Sequence, residues 1–122
     1  MKRVIFDSSF LMAVVENPTT WFEDMVDALG KFEPVLPDCV RRELQELVAE
    51  GGKRSRVARV CLEVASEFAD LHCGEAQVDD EIVSAALATH AAIATTDSSL
   101  ARSARGVHLK VASLRKGRVS VE

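Results

Sequence analysis

Four acidic residues stand where apolar runs end or turn inward: Asp7, Glu43, Asp79 and Asp97. Asp7 follows Val4-Ile5-Phe6, and Asp97 follows Ala91-Ala92-Ile93-Ala94-Thr95-Thr96. Glu43 and Asp79 lie on or beside the apolar faces of predicted helices. Carboxylates brought together repel. At about 4 Å, two unit charges interact by roughly 4 kcal/mol at a near-surface effective dielectric. Such a cluster requires protons or a cation, and a divalent metal with oxygen ligands is its natural partner.

Each acid also has a plainer reading. Asp7 after a buried strand reads equally as a turn or N-cap residue, although Ser8 or Ser9 can do that job. Glu43 falls three after Val40 and four before Leu47, on the stripe Val40, Leu44, Leu47, Val48. A charge there is costly to bury unless paired or metal-bound. The alternative is a stripe-edge Glu reaching solvent or pairing with Arg42. Asp79 and Asp80 open a helix, where acids favour the macrodipole. Asp97 reads also as a turn residue ahead of Ser98-Ser99 caps. It is the arrival of all four on one sheet edge that chance explains poorly.

Other chemistries find less support. His72, His90 and His108 have no setting that suggests a Ser-His-Asp or Cys-His arrangement. No Walker A or GxGxxG loop occurs. Asp7-Ser8-Ser9 lacks the second aspartate of a haloacid-dehalogenase-type phosphatase.

The elements that must position these acids alternate. Lys2–Phe6 is β-branched and apolar on both faces, as in the centre of a parallel sheet. Ser8-Ser9 offer caps for a helix over Phe10–Val15, which Asn17-Pro18 breaks. Thr19-Thr20 cap a second helix with Trp21, Phe22, Met25, Val26 and Leu29 inward, ended by Gly30. Pro34–Pro37 is a short strand. Asp38 is a good N-cap for the Glu43 helix, which Gly51-Gly52 stop. The next helix runs from about Lys53 to Phe68, burying Val57, Val60, Cys61, Val64, Ala65 and Phe68. Ala69–Cys73 reads as a strand, and a helix starts at Asp79 or Asp80. Ala92–Thr96 is a strand, and Ser98-Ser99 cap a short helix to about Arg105. Val107–Val111 is a further strand, and Arg118–Val121 a small edge strand. Strands alternating with helices predict a three-layer α/β/α sandwich with a mostly parallel sheet. The functional crevice of such a sheet lies outside the strands' carboxyl ends, where Asp7 and Asp97 sit.

The 122 residues suit one domain, spanning 1–122, with 48% apolar residues and few aromatics. No apolar stretch approaches the ~20 residues of a membrane span, and the N-terminal apolar run is too short for a secretory signal. A cytosolic protein is therefore expected. The net charge of −4 disfavours nucleic acid, but its distribution does not. Residues 98–122 carry 6 Lys/Arg against Glu122 alone, and Lys53, Arg54, Arg56 and Arg59 form a second basic group. An acidic centre with basic flanks fits a metal site beside a phosphate-binding surface, or else a solvated surface. The three cysteines show no CxxC pattern; Cys39 and Cys61 read as small core residues, and His72-Cys73 as a strand end.

Taken in order, the motifs resemble a known family. Val4-Ile5-Phe6-Asp7-Ser8-Ser9-Phe10-Leu11 is similar to the opening strand and first acid of PIN-domain nucleases. Pro37-Asp38-Cys39-Val40-Arg41-Arg42-Glu43-Leu44 resembles their second motif, and Asp79-Asp80-Glu81-Ile82-Val83 their third. Ala94-Thr95-Thr96-Asp97-Ser98-Ser99-Leu100 resembles the Thr-x-Asp fourth motif. The ending Val111–Val119 is similar to compact archaeal members, which resemble VapC toxins and the PIN nucleases that mature small-subunit ribosomal RNA. Ser9 departs from the pattern, since many members carry Asn there.

The resemblance implies a PIN-like α/β fold and a Mg²⁺- or Mn²⁺-dependent endoribonuclease. It implies Asp7, Glu43, Asp79 and Asp97 as catalytic and metal-holding acids, with Asp80 second to Asp79 as the third acid. Ser8, Ser9 and Thr95 are then candidates for orienting the acids. Arg102, Arg105, Arg115 and Lys116 are candidates for gripping RNA. The partners implied are RNA, an antitoxin or ribosome-assembly factor, and a second copy in a homodimer. The alternative is a non-catalytic RNA-binding or ribosome-assembly module that retains the fold.

Overall fold

The computed structural model describes residues 1–122. The chain begins with β1 (Lys2–Phe6), whose Val4, Ile5 and Phe6 are fully buried. Helices α1 (Ser8–Glu16) and α2 (Trp21–Leu29) lead to β2 (Phe32–Pro37). Then come α3 (Asp38–Glu50), α4 (Lys53–Val64), β3 (Ala69–Leu71) and α5 (Val78–Thr89). The chain closes with β4 (Ala92–Ala94), α6 (Ser98–Gly106), β5 (Val111–Arg115) and β6 (Arg118–Val121). No helix is long and apolar enough to cross a membrane.

The six strands form one sheet in the order β3-β2-β1-β4-β5-β6, parallel except for the β5–β6 hairpin. Strand order therefore reverses at β1, which pairs with β2 on one side and β4 on the other. Right-handed crossovers then place the helices of the two halves on opposite faces. On one face α1, α3 and α4 pack together; α5 packs on β1, β4 and α6. This is the expected three-layer α/β/α sandwich with a mostly parallel central sheet. The register Val4↔Ala92, Ile5↔Ile93 and Phe6↔Ala94 brings the ends of β1 and β4 level. Two distant segments, Asp7-Ser8-Ser9 and Thr95-Thr96-Asp97, thus leave the sheet side by side at its switch point.

Several local expectations give way. The fifth strand starts at Val111, not Val107, because α6 runs to Gly106 and its exit uses residues 107–110. His108 takes a left-handed φ of 64° in that exit. On α4 the buried positions are Ser55, Ala58 and Cys61, with Ala65 just beyond, while Val60 and Val64 face outward. Small residues allow α4 to lie close to α1 and α3, so the valine stripe turns away. On α2, Phe22 is 53% exposed and Val26 is also exposed, whereas Asp24 is buried. Arg118 donates to both Asp24 oxygens, and the Val119 amide donates to Oδ2. That contact ties α2 to the edge strand β6 and holds the Asp24 carboxyl down at about 2, mainly through the Arg118 hydrogen bond.

The caps also differ from expectation. Ser8 and Ser9 belong to α1 itself, and Asp7 occupies its N-cap position without a capping bond. Asp97, not Ser98 or Ser99, caps α6 through bonds from the Ser99 and Leu100 amides. Asp38 is the first residue of α3, and its Oδ1 accepts from the Cys73 amide. Cys39 and Cys73 form a disulfide across 34 residues, so Cys39 is more than the small core residue expected; Cys61 alone is free and buried. The separation in sequence hides a pairing that the β2–β3 ladder creates. Lys116-Gly117 turn the β5–β6 hairpin with φ of 52° and 77°, as a type I′ turn requires.

Candidate active site

Asp7 is only 6% exposed, and its carboxylate is held in one orientation. Ser9 donates to Oδ2 at 2.6 Å, and Thr95 donates to the same oxygen at 3.0 Å. Ser9 and Thr95 are themselves 3.1 Å apart, and Ser9 Oγ accepts from the Thr96 amide. The Asp7 amide donates to Ala94, the last residue of β4. All but the Ser9–Asp7 bond span the β1–β4 seam. Ser9 and Thr95 therefore orient Asp7; Ser8, also a candidate for that role, lines a neighbouring cleft instead.

Glu43 reaches the same place from α3. Its position on the stripe beside buried Val40 and Leu44 draws the carboxylate inward, and Oε1 is buried with no hydrogen-bond partner. An orphaned carboxylate oxygen is expensive, because it has lost water and gained no donor. Withdrawal from water raises the Glu43 pKa, and the charges of Asp7, Asp79 and Glu46 raise it further. Asp79, in the first turn of α5, is shifted in the same direction. The causes are desolvation, then Asp7, Asp97 and Asp80. Asp7 is thus felt by both Glu43 and Asp79, and Asp97 by Asp79. The fold brings Glu43 and Asp79 within electrostatic reach of Asp7 and of each other, and Asp97 within reach of Asp79.

Asp97 spends Oδ1 on the α6 amides, at 2.8 and 3.1 Å, and its own amide donates to Thr95 Oγ1. Asp79, Asp80 and Asp97 are all exposed, and Asp80 is the last contributor to the shift of Asp79. The donor set suits a hard divalent cation. It is oxygen-only, anionic, and includes a buried oxygen without a donor. The quartet is nonetheless open. The one group of metal-capable side chains with three donor atoms within 4.8 Å is Asp38, Cys39 and Cys73, whose sulfurs are joined to each other.

Two clefts flank this seam, one taking Ser8 and Ser9 into its lining and the other Thr95 to Asp97. The larger, of roughly 350 Å³, is lined by Ser8, Ser9, Glu16, Glu43, Glu46, Glu50 and Arg54 among others. The smaller, of roughly 170 Å³, is lined by Thr95, Asp97, Ser98, Arg105, Ser113 and Arg115 among others. Of the predicted basic residues, Arg105 and Arg115 enter this lining, while Arg102 and Lys116 are exposed outside it. Glu46 and Glu50 escaped the sequence reading, although their spacing of three and seven from Glu43 places them on one face of α3.

Comparison with known proteins agrees with this architecture. A family profile described as a PIN-like domain matches residues 4–117. No curated protein matches the chain. Among solved structures, that of the PIN domain endonuclease Utp24 superposes with a TM-score of 0.81 at 28% identity, covering 98% of this chain and 90% of that one. A domain of a functionally unknown protein from Methanocaldococcus jannaschii gives 0.65 at 19% identity, covering 100% and 97%. PAE2754 from Pyrobaculum aerophilum gives 0.60 at 14% identity, covering 86% and 81%. These last two share the fold with this chain.

Proposed function

The chain belongs to the PIN-like domain family, and from that premise we propose that it is an endoribonuclease dependent on Mg²⁺ or Mn²⁺. The carrying observation is the partnerless buried oxygen of Glu43 beside Asp7 and Asp79. The similarity to a PIN domain endonuclease supports the same reading.

In this proposal Asp7, Glu43, Asp79 and Asp97 hold the ion, with Asp79 ahead of Asp80 as the acid supplied by α5. When bound, the ion supplies Lewis-acid chemistry, activating water and balancing charge on the phosphate. The chain's own residues prepare the site. Ser9 and Thr95 fix Asp7 through Oδ2, which leaves Oδ1 free of protein hydrogen bonds. Burial and neighbouring carboxylates raise the Glu43 and Asp79 pKa values, and a bound cation would favour their charged forms. Arg102, Arg105, Arg115 and Lys116 supply positive charge for the RNA backbone beyond Asp97. With five Phe, one Trp and no Tyr, and with Phe6 and Phe10 in the core, few rings remain for stacking on bases. Selection then rests on RNA shape and backbone path.

The test compares the protein with Asp7→Asn on labelled RNA, with Mn²⁺, Mg²⁺ or chelator. Internal cuts by the unaltered protein alone, abolished by chelator, support the proposal. Equal binding by both proteins with no cutting by either identifies a non-catalytic RNA-binding module. Mapping cut sites in cells then separates a ribosomal RNA-processing nuclease from a VapC-type toxin, which an antitoxin encoded nearby would restrain. A homodimer is part of the proposal, supported by the apolar exposure of Phe22 and Val26 on α2. Sedimentation as a monomer at micromolar concentration would remove it.

A further inference from the structure

The sequence carries two basic groups, one on α4 and one on α6 and β5, and the acidic seam lies between the clefts they border. Their settings differ in sign. In the larger cleft, Arg54 is the one cation among Glu16, Glu43, Glu46 and Glu50. In the smaller cleft, Arg105 and Arg115 stand against the single carboxylate of Asp97, with the hydroxyl residues Ser98 and Ser113 beside them. Neither arginine there is engaged in an ion pair, so both guanidinium groups are available. Asp97 spends one oxygen on the α6 amides, which blunts its repulsion of a phosphate.

We infer that RNA is gripped on one side of the cut only: Arg105 and Arg115 hold its backbone in the α6–β5 cleft, and the glutamates of the α1–α3 cleft turn the strand away from Lys53 and Arg54. This rests on the endoribonuclease reading and adds a direction to it. A phosphodiester chain carries one charge per nucleotide. Laying it along Glu16, Glu46 and Glu50, beside the ion-holding Glu43, opposes it with like charge, and one guanidinium does not offset that. The basic group on α4 is then a solvated surface, although it resembles the other group in sequence.

The experiment measures binding of a labelled single-stranded oligouridylate to the Asp7→Asn protein across a salt series, so that cutting does not interfere. Each backbone phosphate neutralised on a single strand contributes about 0.7 to the slope of log affinity against log salt. Arg105→Ala with Arg115→Ala is expected to lower that slope by about 1.4 and to weaken binding several-fold at constant salt. Lys53→Ala with Arg54→Ala is expected to leave both unchanged. Equal losses from the two pairs, or a loss from the α4 pair alone, would overturn the inference while leaving the endoribonuclease proposal standing. Failure of the Asp7→Asn protein itself to bind the RNA at low salt would count against RNA as the substrate and overturn both.

Discussion

Thr95 donates a hydrogen bond to Asp7 across 88 residues of sequence, with 3.0 Å between Oγ1 and Oδ2. The contact exists because β4 pairs beside β1 in register, so that both residues leave the sheet at the same level. Ser9 reaches the same oxygen from the first turn of α1. Two hydroxyls on one carboxylate oxygen fix the plane of Asp7 before any ligand arrives.

If that orientation matters for cutting, removing the hydroxyls slows it without unfolding the protein. Thr95→Val and Ser9→Ala should each lower kcat by about 10–100-fold, the range found when partners of ligand side chains are lost. Ser8→Ala should leave kcat unchanged, since Ser8 makes no bond to Asp7. Steady-state kinetics with a fixed RNA and saturating Mn²⁺ check this.

Glu43 is destabilising as an anion in the metal-free protein. Its folded pKa lies above the unfolded value, so its favourable protonation is fully present below the unfolded pKa and lost as pH rises through the folded one. Metal-free Glu43→Gln should therefore melt higher than the unaltered protein at pH 7–8, by about 2–6 °C. The gap should close near pH 4. Differential scanning calorimetry in chelator checks both limits.

Asp24 behaves oppositely. Its folded pKa is depressed to about 2, chiefly by the Arg118 hydrogen bond. The stability it confers is present above the unfolded carboxylate value and lost as pH falls through the folded one. Asp24→Asn should thus lower the melting temperature at pH 7, with a penalty that shrinks between about pH 4 and pH 2. Arg118→Ala should be more damaging than most exposed substitutions, because it leaves Asp24 buried without its main partner. Thermal melts across the acid range check this.

What the residues disclosed before the structure follows from burial and period. Val4-Ile5-Phe6 and Ala92-Ile93-Ala94 are apolar on both faces, and only a central parallel strand buries both, so the positions of Asp7 and Asp97 followed. Glu43 stood out because it breaks an apolar stripe. Asp24 did not, since an acid in the first turn of an amphipathic helix looks solvated, and its partner Arg118 lies 94 residues away. The choice of Ser9 over Ser8 depends on the phase of α1 at its first turn, which composition does not encode. The pairing of Cys39 with Cys73 needed the neighbouring of β2 and β3. The difference between the two basic groups needed the clefts, because neighbours in space, rather than neighbours in sequence, set the sign around each arginine.

The central claim is that the fold gathers acids which a divalent ion makes tolerable. Isothermal titration of Mn²⁺ at pH 7.5 tests it without any RNA. The account predicts uptake at millimolar or lower concentration by the unaltered protein and its loss in Asp7→Asn and Glu43→Gln. Uptake equally strong in all three proteins, or absent from the unaltered one, would contradict it.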